Sequence, residues 1–459
     1  MLLSTPAFAS GGGGSGGDLP VVVALVTIVG VAYLLTHFVV DWLQRLFLVA
    51  TSIEYLLLGV LLGLIFVPDT SAEVWVQTIQ HLPLIEGLPW PKPLDDLTPI
   101  APLIALAAGW VGLLYGMALD VPSVLGKRDG AVRLAVLEGA LTATPVTLAA
   151  YLLLNALSPE SPQSGLWLCA GLLGVTAWAG STSAMDVVKR RYNVEGTTLS
   201  SLVRAARYSD MLAVLTFGVL FCLFHGAGSI QAVASAIPDP AANRPPTAAE
   251  WSMITVGTGL VLGGLFAWYL DEDDSEAGTF LALVGIIAFA SGAAFFLELS
   301  ALTINLVLGM VLVNISRSGE KVRTTLRGTL KPMSLLLLLL AGAMWDPPPL
   351  LLTAGLVVAV IGVRALGKIA AGWMSSFGTD LRRDSFRGLI GQGEVTIAMA
   401  ISFKLVYDVA GAGEIQGAID ATYTAILVGV VVHEIIAPRV LKGLLVDAGE
   451  ITVETGLGG

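Results

Sequence analysis

Stretches of about twenty mostly apolar residues recur along the whole chain, and no other feature constrains its fold as strongly. A helix needs about 20 such residues to cross the hydrocarbon core of a bilayer. Thirteen stretches fit, running over 19–40, 46–67, 98–119, 131–157, 165–188, 199–226, 251–270, 278–298, 300–316, 332–346, 347–373, 386–409 and 418–440. The tenth and eleventh are separated only by Asp346-Pro347-Pro348-Pro349. Proline ends a helix and biases the residue before it to extended geometry, so the run divides there. Charged residues make up 13% of the chain and hydrophobic residues 55%. Soluble domains carry about 25% charge. A cytosolic enzyme could not cover so much apolar surface, and a disordered tail would not contain it.

Basic residues in the connecting loops orient the spans. With the N-terminus outside, the inside loops hold sixteen: Arg45; Lys127 and Arg128; Lys189, Arg190 and Arg191; Arg317, Lys321, Arg323, Arg327 and Lys331; Arg382, Arg383 and Arg387; Arg439 and Lys442. The outside loops hold only Lys92 and Arg244. Positive residues stay cytoplasmic, so the expected structure is an all-α polytopic membrane protein of thirteen transmembrane helices, N-out and C-in. The acidic loop Asp271-Glu272-Asp273-Asp274 carries no basic residue, but acids count little in this rule. Residues 1–18 read as a flexible Gly/Ser-rich tail, and 447–459 as a short C-terminal tail without a nucleotide-binding domain. Trp75, Trp90, Trp268 and Trp345 fall near expected interfaces and read as belt anchors.

Other chemistries lack residues to support them. Cys169 and Cys222 both lie in apolar runs and are expected to be buried thiols. No CxxC, HExxH or P-loop pattern is present, so neither a zinc site nor an ATP-driven motor is supported, and no cofactor is expected. A net charge of −11 opposes nucleic acid as a partner.

The charges inside spans point to function, because a charge at mid-bilayer costs several kcal/mol and is normally paired or functional. Asp210 lies about a dozen residues into the sixth span, Arg364 and Lys368 share a face of the eleventh, and Glu394 lies in the twelfth. The fifth span is interrupted by Gly180-Ser181-Thr182-Ser183, and the twelfth by Gly388 and Gly391-Gln392-Gly393, residues that permit local unwinding. The breaks are seven spans apart, so their helices run in opposite directions. That is the pattern of an inverted repeat with two crossing discontinuous helices. Opposed half-helix ends leave partial charges at mid-membrane, and Asp210, one span after the first break, is expected beside them with an aqueous funnel reaching it. One carboxylate cannot hold a proton and a cation tightly at once. A group there that changes faces only when loaded would exchange one for the other. Ser209, Ser181, Thr182 and Ser183 offer hydroxyl oxygens suited to Na+ or K+ at Asp210.

In their order and spacing, six segments resemble the monovalent cation:proton antiporter superfamily, and most closely its bacterial Kef-type branch. They are Glu54–Gly63, Ala179-Gly180-Ser181-Thr182-Ser183-Ala184, Tyr208-Ser209-Asp210, Leu308-Gly309-Met310-Val311-Leu312, Arg364-Ala365-Leu366-Gly367 and Gly391-Gln392-Gly393-Glu394. The resemblance covers roughly 46–446 and implies a secondary active antiporter rather than an enzyme. It implies a multi-pass inner-membrane homodimer that exchanges Na+ or K+ for H+ by an elevator-like motion. Core helices over 131–226 and 347–446 would then move against scaffold helices over 19–119 and 278–346, with 251–270 as a linker. It also implies that Asp210 is the ion- and proton-binding carboxylate and Arg364 the basic group that stabilises the core.

Ser209 departs from the family pattern, which has Asn, Gln or a second Asp there; a single titratable group implies electroneutral, one-for-one exchange. Arg207, one helical turn before Asp210, could pair with it. That pair and Ser209 motivate an alternative reading, a transport-inactive subunit acting as sensor or partner scaffold; a channel is a third. Lys368 is expected to reach toward the inside face. Glu394 is expected to bond backbone or a basic residue. Glu138 and Asp186 are expected to orient core groups, line the cytoplasmic funnel or stand as solvated helix-end acids. Glu54, Glu298 and Glu434 carry weaker expectations, and His225 and His433 are read as half-exposed.

Overall fold

A computed structural model describes residues 53–66, 101–119, 130–225, 246–270, 276–316, 319–326, 328–346, 348–409 and 415–451. The first expected span, the N-terminal tail, Trp75 and Trp90 lie outside the described residues. Among the described residues, helix is found within every expected segment from the second onward. In chain order the helices are α1 (Ile53–Phe66), α2 (Ala101–Met117), α3 (Ala131–Leu157), α4 (Gln163–Trp178), α5 (Ser183–Tyr192) and α6 (Thr197–Leu223). They continue with α7 (Ala248–Leu270), α8 (Glu276–Phe296), α9 (Ala301–Ile315), α10 (Gly319–Leu326), α11 (Leu330–Ala343), α12 (Leu350–Ser375), α13 (Glu394–Val409) and α14 (Gln416–Asp447).

Among the described residues, seven helical segments are long and apolar enough to cross a membrane: Ala131–Leu157, Gln163–Tyr192, Thr197–Leu223, Ala248–Leu270, Gly278–Phe296, Leu350–Ser375 and Gln416–Asp447. Ala101–Met117, Ala301–Ile315 and Leu330–Ala343 are shorter apolar helices. Outward surfaces are apolar too: Met253, Val261 and Trp268 on α7, Leu281 on α8 and Leu350 on α12 are all exposed. Such surfaces suit lipid, which solvates leucine as well as a protein core does. Cys169 and Cys222 are buried and free.

Small residues let helices meet backbone to backbone, as expected where lipid supplies no hydrophobic drive between spans. A Cβ on Gly112 of α2 would come within 2.1 Å of the Leu302 carbonyl oxygen on α9. A Cβ on Gly59 of α1 would meet the Leu339 carbonyl oxygen on α11 at the same distance.

Three local irregularities shape the centre of the fold. Helix α3 contains a π-helical turn over Gly139–Ala143. Pro145 follows it and has no N–H to return to the Leu141 carbonyl, so regular α-bonding fails there. That carbonyl faces Gly367 on α12, where a Cβ would come within 2.4 Å of it. The second irregularity separates α4 from α5. Helix α4 stops at Trp178, and Ala179 turns to extended geometry (φ −52°, ψ 139°) before α5 resumes at Ser183. The third is a 3-10 turn over Ser385–Gly388, followed by a non-helical stretch that ends where α13 begins at Glu394.

The segment between the ninth and tenth expected spans, where the sequence predicts only loop, contains α10, a short helix carrying Lys321 and Arg323. Trp345 is only half-buried, and its indole donates to Thr424 Oγ1 at 3.0 Å.

Candidate functional site

The breaks at 179–182 and 389–393 lie against each other, and side chains from α12 join them. A helix end leaves its last four carbonyls without intrahelical partners. At the end of α4 four consecutive carbonyls receive side-chain donors. Gln392 Nε2 donates to Thr176 O at 2.9 Å, Arg364 Nε to Ala177 O at 2.9 Å, Lys368 Nζ to Trp178 O at 3.4 Å and Arg364 Nη2 to Ala179 O at 3.2 Å. The same guanidinium reaches the second break, with Nη1 donating to Ile390 O at 2.7 Å and Nη2 to Gly391 O at 3.1 Å. Only arginine offers a planar fork of five donors able to satisfy both strands of unwound backbone at once. Arg364 is 1% exposed, so its positive charge sits where two chain segments present carbonyl oxygens.

The acids take the opposite ends. Asp210, wholly buried on α6, accepts the Gly180 N–H at 2.9 Å through Oδ1. Its Oδ2 is buried and has no hydrogen-bond partner. Glu394 opens α13 and accepts from Tyr115 Oη at 3.1 Å. Glu434 of α14 accepts from Ser183 Oγ, at the start of α5, at 2.7 Å. Carboxylates at the N-terminal ends and cations at the carbonyl ends match the helix dipoles.

Next to Asp210, Ser209 Oγ donates to Glu138 Oε2 at 2.6 Å. The other oxygen of Glu138 pairs with the Lys368 ammonium, both side chains being essentially unexposed. This corrects the expectation that Lys368 reaches toward the inside face: its stem points into the bundle, where Glu138 supplies the counter-charge that makes burial tolerable. Glu138 is likewise buried, not a solvated helix-end acid. Asp186 is exposed in the first turn of α5.

Arg207 is exposed and forms no ion pair with Asp210 among the described residues. Asp210 faces the first break, and Arg207, three residues earlier, faces out. Ser181 and Ser183, expected as ligands at Asp210, instead bond each other at 2.6 Å and turn toward Glu434. Thr182 is half-buried and forms the N-cap of α5 without a side-chain capping bond.

Several participants leave little or no trace in the sequence. Glu434 is buried at the break, and His433 is 4% exposed, not half-exposed. Its Nδ1 lies 2.9 Å from Gln392 Oε1 and 2.6 Å from Gly429 O, two acceptors that together place the proton on Nδ1. Gln392 thereby locks the second break to both α4 and α14. Tyr115 on α2 brings a helix with no charge of its own into the site. The visible signal for Glu434 was a carboxylate inside an apolar run; its partner Ser183 is 251 residues away and left no local pattern.

Among solved structures, the chain is similar to the sodium proton antiporter MjNhaP1 from Methanocaldococcus jannaschii at pH 8, with a TM-score of 0.58 and 15% identity over 91% of this chain and 99% of that one. An electron-microscopy structure of the same antiporter aligns with a TM-score of 0.56 and 14% identity over 95% of this chain and 99% of that one. The chain has the fold of a solved sodium/proton antiporter. By sequence, no protein-family model matches the chain, and no curated protein does. At this identity the likeness concerns architecture, so the chemistry is argued from this chain's own residues.

Proposed function

We propose that the protein is a secondary active antiporter of the monovalent cation:proton superfamily, in its Kef-type branch, exchanging Na+ or K+ for H+ across the inner cell membrane. The observation that carries the reading is Asp210, a carboxylate buried at an interrupted helix with one oxygen bonded to Gly180 and the other without a partner. An unpaired buried carboxylate oxygen is costly unless a proton or a cation occupies it, and the two compete for the same lone pairs. Ser209, whose hydrogen is given to Glu138, keeps lone pairs for a cation beside Asp210. Thr182 is a further hydroxyl at the break. The overall resemblance to an antiporter fold supports the same reading.

In this account Arg364 holds the two breaks in register, and the Lys368–Glu138 pair positions Ser209. Thirteen spans run N-out to C-in, the breaks belong to two crossing discontinuous helices, and a homodimer presents a fixed scaffold (19–119 and 278–346). The core (131–226 and 347–446) moves as an elevator, with Asp210 loaded by either ion. One titratable group at the exchange position gives electroneutral, one-for-one exchange.

The test is dissipation of a preset pH gradient in proteoliposomes by added Na+, K+ or Li+. Wild-type protein dissipates it and Asp210→Asn does not. Full cation-dependent flux in Asp210→Asn would overturn the site assignment, cation flux without proton coupling would indicate a channel, and inactivity of the wild type would indicate a scaffold subunit.

A further inference from the structure

The buried carboxylate of Glu434 is not accounted for by exchange at Asp210. Glu434 is 5% exposed, and only one of its oxygens is satisfied: Oε2 accepts from Ser183 Oγ, while Oε1 is buried with no hydrogen-bond partner. No ion pair to it is found among the described residues. Arg364 directs its guanidinium to four backbone carbonyls instead. Glu434 lines a small cavity with Ser183, Gln392 and Glu394, walled by apolar side chains such as Leu338 and Ile397. Asp210 is not among the residues lining it.

The hydroxyl that lines this cavity, Ser183, is arranged as a ligand. Ser183 gives its hydrogen to Glu434, so the 2.6 Å contact between Ser181 Oγ and Ser183 Oγ has Ser181 as donor. Ser183 Oγ therefore keeps a lone pair for an ion, and Glu394 adds a carboxylate across the cavity, tethered by Tyr115. The donors are all oxygen, which suits a hard cation. A divalent ion would want several carboxylates at once. Among the described residues, no group of three or more His, Cys, Asp or Glu is placed to hold a metal. Glu434 Oε1 is the carboxylate oxygen at the cavity that is buried without a partner, and it marks where the ion sits.

We infer that Glu434 and Ser183, with Glu394 across the cavity and Ser181 bonded behind Ser183, form a second site that holds a resident monovalent cation between the two helix breaks, separate from the exchange site at Asp210. Such an ion neutralises Glu434 where a lysine or arginine is missing and ties α5, α13 and α14 together. The site rests on the Glu434 cavity and not on transport at Asp210, so it stands or falls independently of the antiport reading.

The test is equilibrium binding of radiolabelled sodium, and of rubidium as a potassium surrogate, to purified full-length protein at mildly alkaline pH. Asp210→Asn protein is expected to retain saturable binding. Asp210→Asn/Glu434→Gln is expected to lose it while staying monodisperse. Asp210→Asn/Ser183→Ala, which keeps the carboxylate but removes one ligand, is expected to bind about tenfold more weakly. No saturable binding in monodisperse Asp210→Asn protein would overturn the proposal and mean that Glu434 carries a proton; so would binding that is indifferent to both Glu434→Gln and Ser183→Ala. Flux measurements on wild type and Asp210→Asn report separately on the exchange reading.

Discussion

At the scale of single residues, Arg364 has the largest expected effect on stability. Its four carbonyl partners belong to two unwound segments, and removing the fork leaves buried acceptors unpaired at about 1–3 kcal/mol each. Arg364→Ala is expected to lower the thermal midpoint of the detergent-solubilised protein strongly, and Arg364→Lys is expected to recover little, because an ammonium cannot reach four acceptors in one plane. A midpoint for Arg364→Lys equal to wild type would refute that geometry. The Lys368–Glu138 pair predicts a different pattern. Breaking it from one side, as in Glu138→Gln, is expected to cost about 3–5 kcal/mol, while Lys368→Met/Glu138→Leu is expected to cost less than either single change implies. A double-mutant cycle in chemical unfolding measures this, and strict additivity would contradict it. Asp210, Arg364, Lys368 and Glu394 were visible in the sequence because a charge in an apolar run is an anomaly. Their partners were not. Lys368 and Glu138 are 230 residues apart, and a lysine stem is long enough to reach either the interface or the interior. Nothing local to Ser181 or Ser183 told which carboxylate they would face.

At the scale of elements, the interruptions in the fifth and twelfth spans were legible because glycine and hydroxyl residues concentrate there. The split at Asp346–Pro349 was legible because proline stops a helix. The π turn in α3 has a local cause in Pro145, but a proline inside an apolar run does not say whether the helix kinks, ends or widens, and the short helix α10 lies in a polar loop. Close packing predicts its own sensitivities. Gly112→Leu is expected to push α2 from α9, at a cost of about 1–3 kcal/mol or more, because the obstacle is backbone and cannot rotate away; an unchanged thermal midpoint would contradict it. Between α12 and the 3-10 turn, Asp384 accepts from Arg382 Nε at 3.0 Å, and Arg387 bridges to Asp447 at the end of α14 at 2.5 Å. Partial burial raises the Asp384 carboxyl, but the Arg382 hydrogen bond and charge, helped by Arg387, outweigh it and hold the group below the usual carboxylate range. A carboxyl lowered in the folded state adds stability that is present above its unfolded value and lost as pH falls through the folded one. Protection factors for hydrogen exchange over 379–389, with the intrinsic pH dependence of exchange divided out, are therefore expected to be steady from neutral pH to about 4 and to fall below it. Asp384→Asn is expected to remove that acid-dependent loss, and an unchanged acid response in the variant would contradict it.

At the scale of the whole molecule, apolar runs were enough to place nearly every described helix, because lipid demands that each span be apolar and internally bonded. They could not arrange the helices around the site, which depends on contacts between residues hundreds of positions apart. What the assembled molecule adds is a pairing of opposites: basic side chains on the carbonyl ends of broken helices, and acids on the N–H ends with spare oxygens. The exchange proposed at Asp210 makes a quantitative demand on that arrangement. In sealed proteoliposomes, a tenfold Na+ or K+ gradient is expected to build a proton gradient of about one pH unit at equilibrium, acidic on the side where the cation is concentrated and the same at every imposed membrane potential. A wild-type protein that builds no proton gradient would contradict cation:proton exchange, and one whose gradient shifts with membrane potential would contradict one-for-one exchange through a single carboxylate.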